Sequence, residues 1–360
     1  MDINLLSNFI KATKQSSLKQ LQQVYFDSKS NTVRYSNLEQ EIVLPFETPY
    51  TLCIDSTELQ SVLSIAKKKD VPEIEVYENG IQVTIGKKRL FLNNNEQHIE
   101  YFPDGYAQKY PDTDFTPLFD ITRHLKDLNL KTSMLSDDDH KPAMKCFLFT
   151  KTGHVVGTNA HVLFKKRYSG LESDTEFTVS GDFIGLLNKL NQNQNDLSIL
   201  TENQSVVKAN FKSGGIYFRN VNDVKYPNYK SAIPTELCNS FETSHSELSE
   251  IVSDLNKIIR GKGNFTVIEI SPFGILNAFK FNEEGKQQED PIYSIELNYC
   301  PEAETHVCFD HRQIERILKS TKGLDVFHIR YDESKKVAAF FPEEESEGLY
   351  LCVRHIINKN

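Results

Sequence analysis

The sequence predicts an α+β protein of three similar domains, each with two helices and antiparallel sheets. Two observations support this: one helix pattern occurs three times in the 360 residues, and alternating hairpin patterns follow each occurrence. Length is a third observation, since one domain accounts for about 150 residues and this chain therefore predicts two or three. The repeats divide the chain into near-equal thirds, with predicted domains at residues 1–113, 114–236 and 237–360.

The repeated helix pattern places apolar residues at positions i, i+3 and i+4 behind a small or acidic residue. Leu59, Val62 and Leu63 have this spacing, and residues 179–191 and 309–323 repeat it. Such spacing forms one face of an α-helix. Candidate N-caps are Asp55 or Ser56, Ser180 or Asp182, and Asp310. A further helix is predicted near the start of each third, at residues 3–13, 116–130 and 245–260.

Alternating apolar and polar residues follow each repeated helix and predict antiparallel strands. Residues 73–92 alternate around Asn79-Gly80, a dipeptide that favours a two-residue hairpin turn. Residues 197–221 and 326–354 show the same alternation. Each third is therefore expected to bury a core of its own.

Two segments rich in proline and aromatic residues close the first two thirds of the chain. They lie at residues 100–115 and 224–234. Because such segments interrupt the periodic patterns on either side, they predict domain boundaries near 114 and 236.

Composition favours a globular protein of a reducing compartment. The hydrophobic content of 39% and the aromatic content of 11% are ordinary for folded domains. No apolar run approaches the roughly 20 residues that span a bilayer, and the N-terminal segment does not resemble a secretion signal. The six cysteines are scattered without C-x-x-C spacing. We therefore expect a cytoplasmic protein with no membrane partner.

The formal net charge of −9 argues against a polyanionic partner, but the basic residues are concentrated on the predicted helices. Acidic residues concentrate in loops, as at 137–139 and 343–345. If the helices share one side, that side is basic and suits loose contact with DNA phosphates. The alternative is that these side chains only solubilise the helices. The candidate DNA-facing residues are Lys11, Lys14, Lys19, Lys67, Lys68, Arg123, Lys126, Lys189, Lys257, Arg260, Lys262, Arg312, Arg316 and Lys319.

Four segments carry a resemblance to a known family. Residues 141–167 contain Thr-Asn-Ala-His-Val-Leu at 158–163, which resembles a Thr-Asp-Gly-His-Arg-Leu motif. Residues 225–234 resemble a Phe-Pro-Asp-Tyr-Arg-Arg-Val-Ile-Pro segment, 31–46 resemble a strand pair with a Thr-Asp-Leu-Glu motif, and 348–358 resemble a closing strand. In this order and spacing, over nearly the whole chain, they resemble the bacterial DNA polymerase III beta sliding clamps.

The resemblance implies a ring. It implies three similar clamp-type domains per subunit, and two subunits joined head to tail as a homodimer that encircles double-stranded DNA without regard to sequence. It also implies a pocket between the second and third domains, where DNA polymerase and clamp loader peptides insert a short apolar, glutamine-containing segment. The implied pocket residues are Met144, Thr158, Ala160, His161, Leu163, Pro227, Ser231, Ala232, Leu351, Val353, Arg354, His355 and Ile356.

The sequence departs from the family at several of these positions. The family motif has glycine where this chain has Ala160, and an arginine-valine pair where it has Ser231 and Ala232. The family usually ends in Met-Pro-Met-Arg-Leu, whereas this chain has 353–357 as Val-Arg-His-Ile-Ile and continues to 360. These departures leave a second hypothesis open: a clamp-like interaction module for replication or repair proteins that does not close a ring.

No pattern in the sequence favours an enzyme, a cofactor or a metal site. His161 has no second histidine or carboxylate motif near it, so a hydrogen-bonded pocket residue is the preferred interpretation. His306 and His311 flank Cys308, but they straddle a predicted strand-helix junction and are expected to point in different directions. The glycines near 261–263 and 153–157 lack the context of a phosphate-binding loop. We expect a protein without catalytic chemistry.

Overall fold

The computed structural model forms two compact units. Unit 1 comprises Met1–Leu125 and Asp182–Asn222, and unit 2 comprises Lys126–Gly181 and Asp223–Asn360. The predicted division into 1–113, 114–236 and 237–360 stays a prediction. The described residues are 3–13, 18–66, 70–212, 214–220, 225–237, 239–259, 265–281, 290–298, 306–331, 336–342 and 348–354.

Helices and strands are distributed along the whole described chain. The helices are α1 (Ile3–Ala12), α2 (Ser56–Leu63), α3 (Tyr106–Lys109), α4 (Leu125–Lys131), α5 (Gly181–Leu190), α6 (His245–Ile258) and α7 (His311–Ser320). The strands are β1 (Gln23–Asp27), β2 (Thr32–Ser36), β3 (Gln40–Pro45), β4 (Leu52–Asp55), β5 (Glu73–Tyr77), β6 (Gly80–Ile85), β7 (Lys88–Asn93), β8 (Phe115–Asp120), β9 (Cys146–Phe149), β10 (His154–Thr158), β11 (Val162–Arg167), β12 (Phe177–Ser180), β13 (Asp196–Leu200), β14 (Val206–Phe211), β15 (Gly214–Arg219), β16 (Asn239–Ser244), β17 (Phe265–Ile270), β18 (Ile275–Phe281), β19 (Tyr293–Glu296), β20 (Val307–Asp310), β21 (Val326–Tyr331), β22 (Val337–Pro342) and β23 (Leu349–Val353). Within the described ranges, no helix combines the length and the apolar character needed to cross a membrane.

The strands form two large and two small antiparallel sheets. In unit 1 the large sheet has the order β4-β1-β2-β3-β15-β14-β13-β8, and β5-β6-β7 form the small one. In unit 2 the large sheet has the order β12-β9-β10-β11-β23-β22-β21-β16, and β19-β18-β17-β20 form the small one. The predicted α+β class with antiparallel sheets is confirmed.

Two strand pairings join distant parts of the sequence. In unit 1, β3 pairs with β15, with Ile42 opposite Ile216. In unit 2, β11 pairs with β23, with Leu163 opposite Leu351. All four of these side chains are buried. Because a one-residue slip would turn each strand's apolar side chains to the other face, burial fixes both registers.

Aspartate caps begin two of the repeated helices. The Asp55 carboxylate accepts hydrogen bonds from the backbone N–H groups of Thr57 and Glu58 at the start of α2. The Asp310 carboxylate accepts one from the N–H of Arg312 at the start of α7. These bonds satisfy donors that a helix N-terminus leaves unpaired. Asp55 and Asp310 were among the candidate caps, and both are confirmed.

The prediction of one helix over residues 116–130 is wrong for its first half. Residues 115–120 form strand β8, a short 3₁₀ turn follows at 122–124, and α4 begins only at Leu125. Pro117 lies in β8 opposite Ser198 of β13. Proline has no N–H to donate and is tolerated in an edge strand, which is the position of β8 in its sheet. Pairing with β13 therefore outweighed the helical spacing.

The predicted Asn79-Gly80 hairpin connects β5 to β6. Tyr77 lies opposite Gly80 in the register of these two strands. Gly80 has a φ of +154°, and a β-carbon there would come within 2.1 Å of the Leu92 carbonyl oxygen. Only glycine fits a backbone this close to the neighbouring strand β7.

A buried ion pair fastens the proline- and aromatic-rich segment of unit 1 to its large sheet. Arg34 Nη1 lies 3.4 Å from Glu41 Oε1 and donates to Gln108 Oε1 at 3.1 Å. The Glu41 carboxylate also accepts from the backbone N–H groups of Tyr106 and Ala107. Both charged side chains are almost fully excluded from water. The Gln108 side chain and the two backbone N–H groups offset part of the cost of burying this pair.

In unit 2, Asp127 of α4 is the centre of a cluster of charges and a phenol. Its carboxylate lies 3.3 Å from Lys131 Nζ, and it accepts hydrogen bonds from Lys166 Nζ and the Tyr168 hydroxyl. The Lys131 side chain is only 3% exposed. Burial alone would raise the pKa of Asp127, but Lys131, Tyr168 and Lys166 together hold that pKa below its usual value.

We predict that Asp127→Asn lowers the free energy of unfolding at pH 7 by about 3 kcal/mol, because it leaves Lys131 buried without its counter-charge. The depressed pKa adds a pH dependence. The carboxylate's contribution is complete above the usual aspartate pKa of about 3.9 and is lost as pH falls through the lower folded-state value. Urea unfolding at pH 7 and at successively lower pH should therefore show that the difference in free energy of unfolding between the unsubstituted protein and Asp127→Asn decreases as the pH falls. A constant difference would contradict this account.

Candidate functional site

A cavity of about 220 Å³ lies within unit 2. Strands β10, β11 and β23 provide one part of its wall, and the 3₁₀ segment Tyr229–Ala232 with its preceding residues provides another. The lining residues are Met144, Thr158, Ala160, His161, Val162, Leu163, Pro227, Asn228, Tyr229, Ala232, Val337, Leu351 and Val353.

The structure brings together most of the residues that the resemblance implied for a pocket. Ser231 and Arg354 are not among the lining residues: the Ser231 hydroxyl donates to the Asn228 carbonyl, and Arg354 Nη2 donates to the His306 carbonyl. His355 and Ile356 lie outside the described residues. The predicted residues that do line the cavity are Met144, Thr158, Ala160, His161, Leu163, Pro227, Ala232, Leu351 and Val353.

Sequence reasoning missed four lining residues. Asn228 and Tyr229 lie inside the segment 225–234 that carried the resemblance, so that segment could have indicated them. Val162 adjoins His161 in the same motif. Val337 had no such signal, because it reaches the cavity by lying opposite Val353 in the β22–β23 register. Sequence alone does not reveal which strands pair.

The floor of the cavity is a buried apolar cluster. Leu163, Leu351 and Tyr229 belong both to the lining and to a cluster that includes Leu148, Val156 and Ala339. Tyr226 packs against this cluster, and its hydroxyl donates to the Val156 carbonyl at 3.1 Å. Burial raises the pKa of Tyr226 far above its usual value, so the phenol remains a neutral donor.

The rim of the cavity includes a tight turn between β10 and β11. Thr158 Oγ1 donates to the Val162 carbonyl at 2.7 Å and accepts from the Ala160 N–H at 3.1 Å. Asn159 Oδ1 accepts from the N–H groups of His161 and Val162, both at 2.9 Å. Ala160 has a φ of +77°, the left-handed region that favours glycine. Four side-chain hydrogen bonds thus hold alanine in a conformation that costs it roughly 1–2 kcal/mol.

The composition of this lining suits side chains of an extended apolar peptide. Binding sites for whole small molecules usually measure about 300–1,000 Å³, so a cavity of about 220 Å³ matches one or two inserted side chains. His161 and Asn228 provide polar groups, which would orient a backbone or an amide.

Of the candidate DNA-facing residues that the structure describes in unit 2, all but one are exposed. Lys257 and Lys319 are exposed and pair with acidic neighbours on their own helices, and Arg312 is exposed and pairs with Asp310. Lys126 of α4 is exposed. Arg316 differs, because Nη1 of its guanidinium donates to the carbonyls of Ser133 and Leu135 and Nη2 pairs with Asp137. Arg316 therefore braces α7 against the chain that follows α4.

In unit 1 the described candidates lie on the surface. Lys11, Lys19 and Lys189 are exposed. Arg123 is also exposed, and its Nε donates to His124 Nε2 at 3.0 Å. The remaining candidates lie outside the described residues: Lys14, Lys67, Lys68, Arg260 and Lys262.

A second, larger groove of about 590 Å³ lies between α6 and α7 in unit 2. Val252 and Leu318 contribute apolar surface to it. The lysines Lys257, Lys319 and Lys322 also line it, which gives the groove a basic edge. It thus lies on two of the helices of unit 2 to which the sequence assigned phosphate contacts.

The histidines near Cys308 point in different directions, as expected. His306 Nδ1 lies 3.2 Å from Glu269 Oε1, whereas His311 is buried with Nδ1 against the backbone of Thr266. Burial lowers the pKa of His311. In the part of the chain that the structure describes, no three histidine, cysteine or acidic side chains cluster as metal ligands would.

Comparison with solved structures shows the fold of bacterial sliding clamps along the full chain. The DNA polymerase III subunit beta of Pseudomonas aeruginosa is 16% identical, with 99% of each chain covered and a TM-score of 0.75. A sliding clamp from Bartonella birtlesii, bound to griselimycin, is 15% identical, with 98% of this chain and 96% of that chain covered and a TM-score of 0.77. The Bacillus subtilis DNA polymerase sliding clamp is 15% identical, with coverages of 99% and 98% and a TM-score of 0.73.

No protein-family model matches the chain, and no curated protein sequence matches it. At these identities the structural likeness concerns the fold. The resemblance inferred from the sequence motifs is therefore confirmed at that level, and this is a divergent chain with the sliding-clamp fold.

We predict that Ala160→Gly raises the free energy of unfolding by about 0.5–1 kcal/mol, because relief of the left-handed strain exceeds the entropy that glycine adds to the unfolded chain. Ala12→Gly is the control, because α1 holds Ala12 in a helical conformation. This substitution should lower the free energy of unfolding by up to about 1 kcal/mol. Urea unfolding of both variants measures this, and equal destabilisation by both would contradict the strain at Ala160.

Proposed function

We propose that this chain, which has the sliding-clamp fold, is a DNA sliding clamp that acts as a homodimeric ring around duplex DNA. In this role it tethers a replicative polymerase and other partners, including a clamp loader, through the cavity of unit 2. The observation that carries the proposal is the cavity itself. Residues named from three separated sequence segments come together there, in a chain whose fold matches clamps from end to end.

The cavity supports tethering because it offers apolar anchorage for a peptide. Its floor is apolar and buried, so side chains of a peptide would gain affinity by leaving water there. The polar groups at its rim would fix the direction of the peptide backbone.

The surface charges support weak, sequence-independent contact with DNA. Lys257 and Lys319 are exposed but share their charge with neighbouring carboxylates, so each would hold a phosphate only loosely. A ring would then remain on DNA by encircling it, and its weak contacts would permit sliding. A cytoplasmic location belongs to the same proposal.

The ring requires two subunits, and solution mass tests this requirement. Size-exclusion chromatography with light scattering, over a series of dilutions, should give a particle of about twice 41.3 kDa. A particle that stays at 41.3 kDa at every concentration would contradict the ring and favour the non-ring interaction module.

We predict that Val353→Asp weakens peptide binding to the cavity. Val353 lines it on β23 and is 36% exposed, so a carboxylate there disturbs folding little but must lose water when a peptide covers it. The probe is a labelled synthetic hexapeptide with one glutamine and with leucine and phenylalanine anchors, and the measurement is fluorescence anisotropy. We expect the affinity to fall at least tenfold, or about 1.4 kcal/mol.

Val71→Asp is the matched control for this experiment. Val71 is 74% exposed and is not among the cavity residues, so the same change there should leave the peptide affinity unchanged. Equal peptide affinity in both variants and the unsubstituted chain would place peptide binding elsewhere.

A further inference from the structure

The turn at the rim of the cavity is tied to helix α7 by one side-chain contact. Asn159 Nδ2 donates to Gln313 Oε1 at 3.3 Å, and Asn159 is only 7% exposed. The other half of the same amide, Oδ1, accepts from the N–H groups of His161 and Val162. Asn159 therefore connects the backbone of the turn directly to α7.

Helix α7 is itself fixed within unit 2. Arg316 donates to the carbonyls of Ser133 and Leu135, and the Ser133 hydroxyl donates back to the Arg316 carbonyl at 3.0 Å. Lys131 Nζ donates to the carbonyl of Ser320. These bonds hold both the middle and the end of α7. The helix can therefore fix the position of a turn that is bonded to it.

The turn needs this support from α7 because its backbone is strained. Ala160 is held in a left-handed conformation, and both Ala160 and His161 line the cavity. Strained backbone persists only where surrounding contacts define it more than once. Without the contact to α7, the hydrogen bonds within the turn and the bond from the Val353 N–H to the His161 carbonyl would be left to resist its relaxation. Relaxation would move Ala160 and His161 relative to the opposite wall at Pro227 and Ala232.

We propose that Asn159 and Gln313 are positioning residues of the peptide cavity: through their hydrogen bond, α7 sets the place of Ala160 and His161 on the rim. The proposal rests on the proposed function, since it concerns how the cavity is shaped for a peptide. Neither residue is among the lining residues, so both act through the turn.

A double-substitution cycle tests the hydrogen bond itself. In Asn159→Asp the Gln313 amide can rotate and donate to the new carboxylate, and in Gln313→Glu the Asn159 amide still donates. Each single variant therefore keeps one amide-carboxylate bond. The double variant places two carboxylates opposite each other with no donor between them, which breaks the tether by repulsion.

The affinity for the labelled hexapeptide is measured for all four proteins, together with hydrogen exchange at the His161 and Val162 amides. We expect the double variant to lose roughly tenfold more affinity than the two single losses combined. The two amides should exchange faster in the double variant than in either single variant. The double variant Gln20→Glu/Asn193→Asp adds the same two charges at exposed positions outside the cavity and should match the unsubstituted chain.

The outcomes separate this inference from the proposed function. If the unsubstituted chain binds the peptide and the losses are additive, the pair does not position the rim and the inference is overturned, even if the double variant unfolds more easily. If the unsubstituted chain does not bind the peptide, the proposed function fails and the inference fails with it. Non-additive loss with faster exchange at the turn supports both.

Discussion

The antiparallel pairing of β11 with β23 is the constraint on which the candidate site depends. It places the last described strand of the chain beside the strand that follows the Thr158–Val162 turn, with Leu163 opposite Leu351. Both side chains then contribute to one apolar floor. A slip of one residue would turn Leu351 away from the cavity to the other buried face of the sheet, so the register of this pairing and the formation of the apolar floor depend on each other.

Around this pairing, polar contacts fix the positions of the segments that form the rest of the cavity wall. Thr158 and Asn159 stabilise the rim turn, and Arg316 holds α7. The Tyr226 hydroxyl bonds the chain that precedes the 3₁₀ segment to the Val156 carbonyl of β10. Apolar burial is non-directional, whereas hydrogen bonds fix angles and distances. The hydrogen bonds explain why Ala160 can keep a left-handed conformation at the rim. The free energy that this conformation costs is small compared with what the contacts of the turn contribute.

Much of the fold was predictable from the sequence, because periodicity and capping are local properties. The apolar spacing of Leu59, Val62 and Leu63 and the cap at Asp55 needed no knowledge of distant residues. Strand β8 was missed because its pairing with β13 is a distant contact, and Val337 was missed for the same reason. The sequence also did not predict that Arg316 bonds to backbone carbonyls within the protein. Helical spacing shows on which face of the helix a residue lies, but it does not show which carbonyl groups of a distant segment lie beside that face.

The central claim is that the protein holds DNA by encircling it, and retention on circular DNA tests this most directly. Dissociated subunits are allowed to reassociate around a nicked circular plasmid, and the mixture is then filtered at a salt concentration that releases non-specific binders. The account predicts that the protein elutes with the circle and is released when a restriction enzyme makes the same DNA linear. Equal retention on circular and linear DNA, or retention on neither, would contradict it.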